Sequence, residues 1–140
     1  MITIRKVGIN DHGELAQLYQ DVRLESFHWQ DTETMSRHDF VKDTVDEVIT
    51  VAIIDDSIVG FISVFEPEGF VHLLFIATDH QGQGIGRQLI QTVQSDLDMD
   101  LSLKCVSSNH NALTAYEKMG WVRKEEHESQ NYVLMSLRRD

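Results

Sequence analysis

The sequence predicts an α+β fold: a mixed, mostly antiparallel sheet of about seven strands flanked by about four helices. Three observations predict it. Short β-branched apolar runs alternate with stretches of helical period. Their order reads β-α-α-β-β-β-α-β-α-β-β. Consecutive hairpin-like strands within that order do not fit a doubly wound parallel sheet. The 140 residues suit a single domain over 1–140, and a chain of this size buries roughly 70% of its unfolded surface without a metal or disulfide staple.

Each element has its own signal. "TIRKV" (Thr3 to Val7) reads as the first strand. From Asn10 the pattern becomes helical, with Leu15, Leu18, Tyr19 and Val22 on one face and Asn10 or Asp11 as the cap. "ESFHWQDTETM" (Glu25 to Met35) has no clear period and contains Phe27 and Trp29; Ser36 then precedes a short helical segment, "RHDFVKDT". "VITVAII" (Val48 to Ile54) and "SIVGFISVF" (Ser57 to Phe65) form a hairpin through Asp55-Asp56. "FVHLLFIA" (Phe70 to Ala77) is apolar on both faces, as a central strand would be. Ile85, Leu89, Ile90, Val93 and Leu97 mark one face of the next helix. "LSLKCV" (Leu101 to Val106) is a strand, Asn109 to Met119 is a helix closed by Gly120, and "WVRKEEHE" and "YVLMSLR" are a closing pair of strands.

Composition narrows the function. A net charge of −11 argues against a nucleic-acid partner, which ordinarily leaves a basic footprint. It suits a cationic small partner and solubility about equally. No apolar h-region follows the first six residues, and no apolar run approaches the roughly 20 residues of a membrane helix, so the expected location is cytoplasmic, away from membranes. The single cysteine, Cys105, excludes an internal disulfide and sits in a strand, where packing is the ordinary role. No metal site is expected. The seven histidines form neither H-x-H nor H-E-x-x-H, and His127-Glu128 leads only to Asn131.

The stretch "ATDHQGQGIGRQLI" (Ala77 to Ile90) is the strongest functional signal. Gly82, Gly84 and Gly86 allow backbone N–H groups to converge on a point. The helix behind them adds its unpaired amides and positive dipole end. No acidic residue occurs from His80 to Ser95, although the chain holds 23. Gln81, Gln83, Arg87 and Gln88 stand where helix starts usually carry Asp or Glu. An anion is the expected ligand; the plainer alternative is a glycine-rich turn before a surface helix. No Lys-Ser or Lys-Thr pair follows, so the loop is not a nucleotide P-loop. Arg87 replaces the third glycine of a dinucleotide fingerprint, and the loop does not follow a first strand.

Gln81-Gly82-Gln83-Gly84-Ile85-Gly86 resembles the Q/R-x-x-G-x-G/A signature of the GNAT superfamily of N-acetyltransferases. "NHNALTAYEKMGW" (Asn109 to Trp121) is similar to the family's N-x-x-A-x-x-x-Y-x-x-x-G-F segment, with Trp121 in place of Phe. "SFHW", "DFVKDT" and "GFISVFEPEGFVHLLFI" resemble a subgroup of small bacterial single-domain members. The resemblance implies an acetyl-CoA-dependent N-acetyltransferase that moves an acetyl group directly to a primary amine in a ternary complex. A non-catalytic module that senses CoA or acetyl-CoA on the same fold is the alternative. The acceptor would be a small-molecule or peptide amine, and the protein a monomer or homodimer.

The resemblance also implies site residues. The donor's pyrophosphate would lie on Gln81, Gly82, Gln83, Gly84, Ile85, Gly86 and Arg87, between strands 4 and 5, which splay apart. The pantetheine arm would pair with the backbone of Leu74, Phe75 and Ile76, one of whose N–H groups would polarise the thioester carbonyl. Asn109, Ala112 and Tyr116, spaced i, i+3, i+7, share one helix face. Asn109 would contact the donor and could equally be an N-cap, Ala112 would permit close approach, and Tyr116 is the expected general acid. An alkylammonium loses a proton at pH 7 at a cost of about 4–5 kcal/mol, so a base is needed. His72 or Glu66 is the candidate, since an imidazole ordinarily titrates near 6.5. By strict alternation His72 shares a face with Leu74 and Ile76. Phe27 and Trp29, with His72, would line the acceptor pocket, and Glu25 and Asp31 could attract an amine.

Overall fold

The computed structural model describes residues 1–26 and 39–139. Its elements follow the expected order: β1 (Thr3–Lys6), α1 (His12–Ser26), α2 (Asp39–Asp43), β2 (Val48–Ile54), β3 (Ser57–Phe65), β4 (Phe70–Ile76), α3 (Ile85–Leu97), β5 (Leu101–Val106), α4 (His110–Lys118), β6 (Val122–His127) and β7 (Tyr132–Leu137). The strands form one sheet in the order β1-β2-β3-β4-β5-β7-β6. Every neighbouring pair is antiparallel except β4 and β5, which are parallel. The expected α+β architecture is therefore the one observed.

Local chemistry explains the elements. Asp55 and Asp56 both adopt the left-handed region, with φ of 51° and 65°. Two such residues twist the β2–β3 hairpin the way its strands require, and aspartate is among the few side chains that tolerate the conformation. α3 buries Ile85, Leu89, Ile90 and Val93, the face its sequence marked, each contributing about 1.5–3 kcal/mol. It ends at Asp98, whose N–H donates to the Gln94 carbonyl.

The sheet separates two apolar clusters. On one face, Leu15, Leu18, Tyr19 and Val22 of α1 and Phe40 of α2 pack on Ile49, Val51, Phe61 and Phe75. On the other, α3, Leu113 of α4 and Trp121 pack on Ile62, Val64, Val71 and Leu103. β4 lies at the centre of the sheet, between these layers, as its two-sided apolar pattern requires.

The sheet is interrupted at one place. β4 and β5 pair only through Phe70 with Ser102 and Val71 with Leu103. Beyond Val71 the strands diverge, and β5 keeps its ladder only with β7. The splay implied for strands 4 and 5 is thus a feature of the pairing itself.

Candidate active site

The divergence opens a cleft of about 920 Å³. Val22 and His72 line it toward the α1 face of the sheet, and Ala112 and Tyr116 line it on the α4 side. Gly82, Gly84, Gly86 and Arg87 line the end near α3. The two sequence blocks that stood apart by some 25 residues therefore meet across one cavity.

The β3–β4 register divides the three residues expected to use their backbone. Ala77 donates its N–H to the Val59 carbonyl, so alternate residues back along β4 turn their backbone groups toward β3. Phe75, opposite Phe61, belongs to that set, and its ring packs in the α1-side core. Leu74 and Ile76 turn the other way, toward the side where β5 has departed. The Gln81 side-chain amide donates to the Ile76 carbonyl at 3.1 Å. This ties the glycine loop to β4 and leaves the Leu74 N–H and C=O and the Ile76 N–H open among the described residues.

At the loop, Gly82 and Gly84 have φ of 80° and 81°, a region costly for residues with a Cβ. No heavy atom lies within 4 Å of where a Cβ would stand on either, so both border open space. Gly84 is the N-cap of α3, with no side-chain cap and no acidic residue in the first turn. The first amides of α3 are therefore available to a ligand. Gly86 differs: its φ is not positive, and a Cβ there would meet only Leu74 Cδ2, at 3.8 Å. Gln83 is exposed and Ile85 is buried in the core, so neither side chain lines the cleft.

On α4, Asn109 Oδ1 accepts from the Ala112 N–H at 3.2 Å, so Asn109 is the N-cap. It lines the cleft as well, as do Ala112 and Tyr116. The Tyr116 ring meets Trp121 edge-on at 5.8 Å. Burial, with a smaller contribution from nearby Cys105, pushes the Tyr116 phenol up to about 12. Burial also pushes the Cys105 thiol up, against an opposing effect from Arg123. A buried thiol held in its neutral form is a poor nucleophile.

The base candidates separate clearly. Glu66 lies in the turn between β3 and β4, at the closed end of the divergence, and does not line the cleft. His72 lines it, but not on the face that alternation predicts. A β-bulge in β4 sets His72 and Leu73 against Ser63 of β3. The extra residue shifts the phase, so Val71, Leu74 and Ile76 face the α3 side while Leu73 and Phe75 face α1. His72 is carried to the α1 side, where its Nδ1 lies 2.7 Å from Glu47 Oε2. Ser63 Oγ donates to the other oxygen of Glu47. Phe27 and Trp29, expected in the acceptor wall, and Asp31 lie outside the described residues, as does the side chain of Glu25.

Sequence reasoning missed Glu47, Ser63, Lys104 and Lys118. Both lysines line the cleft with Arg87, and no Asp or Glu does among the described residues. In a chain of net charge −11, the Lys and Arg side chains of the cleft thus face no carboxylate in its lining among the described residues. The alternation of "LSLKCV" could have flagged Lys104; nothing local flags Glu47. Among the described residues no cluster of His, Cys, Asp or Glu could hold a metal, and no helix is long and apolar enough to cross a membrane.

The sequence matches the acetyltransferase (GNAT) domain family over residues 15–136. The chain belongs to the GNAT acetyltransferase family. The PaiA N-acetyltransferase of Thermoplasma acidophilum, solved in complex with coenzyme A, superposes with a TM-score of 0.79 at 16% identity, covering 99% of each chain. PH1933 of Pyrococcus horikoshii OT3 superposes with a TM-score of 0.75 at 25% identity, over all of this chain and 99% of its own. The yncA protein of Salmonella typhimurium, solved with its cofactor acetyl-CoA, gives 0.74 at 15% identity, over 99% of this chain and 94% of its own. No curated protein sequence matches the chain. For a GNAT acetyltransferase the β4–β5 cleft is the candidate active site, and its cationic lining suits a polyanionic acyl donor.

Proposed function

We propose that the protein is an N-acetyltransferase that uses acetyl-CoA and transfers the acetyl group directly to a primary amine in a ternary complex. One observation carries the reading: a cleft lined by Arg87, Lys104 and Lys118, and by no Asp or Glu among the described residues, runs from the N-terminus of α3 to Tyr116. The residues fit the donor. Gly82 and Gly84 keep open the space a side chain would take, and the α3 amides, Arg87, Lys104 and Lys118 suit its phosphates. Bound there, acetyl-CoA supplies an activated acyl thioester.

The protein's own groups supply the rest. The open backbone groups of Leu74 and Ile76 hold the pantetheine arm as an added strand, and one N–H polarises the carbonyl. Asn109 keeps its amide NH2 for the donor while its oxygen caps α4. His72 takes a proton from the incoming ammonium at Nε2, the ring nitrogen not engaged by Glu47. Tyr116 donates a hydrogen bond to the departing sulfur. Cys105, buried and neutral, favours direct transfer over an acyl-cysteine route.

The test is release of free thiol from acetyl-CoA against four amines: a peptide with a free N-terminus, an N-blocked lysine peptide, spermidine and an aminoglycoside. Turnover with at least one is expected. Acetyl-CoA binding with no turnover on any of them would favour the sensing module instead.

A further inference from the structure

We propose that Glu47, braced by Ser63, is a positioning residue that holds His72 in the tautomer a general base requires; the inference rests on the reading of His72 as that base. Three strands build the arrangement. Glu47 immediately precedes β2, Ser63 lies in β3, and His72 is in the β4 bulge. The backbone before Glu47 is set by a tight turn, with Asp46 left-handed at φ 65° and the Glu47 N–H donating to the Thr44 carbonyl at 3.1 Å. Ser63 is fully buried, and the Glu47 side chain is only 10% exposed, whereas His72 is 39% exposed and reaches the cleft. Exposure thus falls from His72 to Glu47 to Ser63, and of the three only His72 lines the cleft.

The chemistry follows from donors and acceptors. A carboxylate only accepts, so the imidazole atom 2.7 Å from Glu47 Oε2 carries its hydrogen: the neutral ring is Nδ1–H. Nε2 then holds the lone pair and makes no hydrogen bond among the described residues. Ser63 Oγ–H donates to Glu47 Oε1, so both carboxylate oxygens are held and the ring cannot turn freely. In turnover, the N–H bond of the substrate ammonium breaks. Its electron pair stays on nitrogen, and the proton passes to His72 Nε2. Glu47 stays ionised beside the resulting imidazolium, and the proton leaves to solvent before the next cycle. This is the orienting logic by which a buried carboxylate serves a catalytic histidine in hydrolase triads. The bulge lets His72 and Leu73 both face the α1 side while Leu74 and Ile76 stay on the α3 side.

The experiment is long-range 1H–15N NMR of the imidazole rings in the full chain, with the His72 signals assigned by their loss in His72→Gln. At a pH where the ring is neutral, the expected wild-type signal is the Nδ1–H tautomer, the reverse of the preference of free histidine in water. Glu47→Gln is expected to shift the population toward Nε2–H. It is also expected to lower kcat by roughly tenfold or more, on whichever panel amine turns over, with KM for acetyl-CoA unchanged. A wild-type ring in the Nε2–H form overturns the proposal even if Glu47→Gln fails to fold. So does a folded Glu47→Gln variant with wild-type tautomer or kcat. Full activity in His72→Gln would remove the base reading alone, leaving the tautomer result as a separate finding about the fold.

Discussion

Tyr116→Phe separates two ways a tyrosine can assist thiolate departure. Burial holds the phenol at about 12, whereas an ordinary thiol titrates near 8.5. Complete proton transfer from Tyr116 to the sulfur is then uphill by about 3.5 pH units, or about 5 kcal/mol. A hydrogen bond donated to a charged sulfur is worth about 1.5–3 kcal/mol without that cost. The expected loss in kcat on removing the hydroxyl is therefore roughly 10- to 150-fold, with KM for acetyl-CoA little changed. The fold tolerates the change: Phe keeps the edge-on contact with Trp121, and the hydroxyl makes no hydrogen bond among the described residues. The assay is steady-state thiol release over a range of pH. A phenol held at about 12 remains a donor throughout the working range, so Tyr116 causes no alkaline fall in activity between pH 8 and 10. A fall of more than about 10⁴-fold in Tyr116→Phe, or an alkaline limb near pH 10 that the variant abolishes, would refute hydrogen-bond donation as its role.

Gly86→Ala is expected to leave stability equal or raised by up to about 1 kcal/mol, since Ala favours the helix and the new methyl meets only ordinary contact. The signature that Gly86 matches admits Ala at this position, so acetyl-CoA affinity is expected to stay unchanged; a clear loss of stability would show that a Cβ has no room there. Phe61 is fully buried against Phe40 at 5.4 Å and Phe75 at 5.7 Å, so Phe61→Ala costs about 3–5 kcal/mol by urea unfolding. A cost below about 1 kcal/mol would mean the α1-side cluster is not the core described. The Arg5 guanidinium, then the Gly8 N–H, hold Asp11 at about 2, against 3.8 ordinarily. A lowered folded value gives stability that is present above 3.8 and lost as pH falls toward 2, so Asp11→Asn flattens the acid limb of the melting curve there. An unchanged acid limb would show the pair does not survive in solution.

Most of the fold was legible because its signals are local. The bounds of β2, β3 and β5 match the apolar runs residue for residue. Gly120, at φ 101°, stops the α4 region where a residue able to go left-handed was expected. The glycine loop was legible for the same reason, since left-handed backbone and an acid-free helix start both show in adjacent letters. What was not legible depends on phase and distance. Counting by twos put His72 beside Leu74, and one extra residue in β4 reverses that assignment without any glycine or proline to announce it. Glu47 precedes His72 by 25 positions and meets it only because β2, β3 and β4 are neighbours in the sheet. The net charge suited a cationic partner and solubility equally and could not place Arg87, Lys104 and Lys118 in the cleft, because the sum over a chain says nothing of where the charges lie.

Binding of acetyl-CoA in the β4–β5 cleft through the glycine loop, as proposed, has a direct thermodynamic readout. Isothermal titration of acetyl-CoA into wild-type protein and into Arg87→Glu, a charge reversal in the cleft lining, tests it. One site per chain is expected in the wild type, with association weaker by roughly tenfold or more in Arg87→Glu, whose exposed side chain at the start of α3 lets the variant melt no lower than wild type. Absence of heat at two well-separated temperatures in the wild type, or equal affinity in the two proteins, would contradict it.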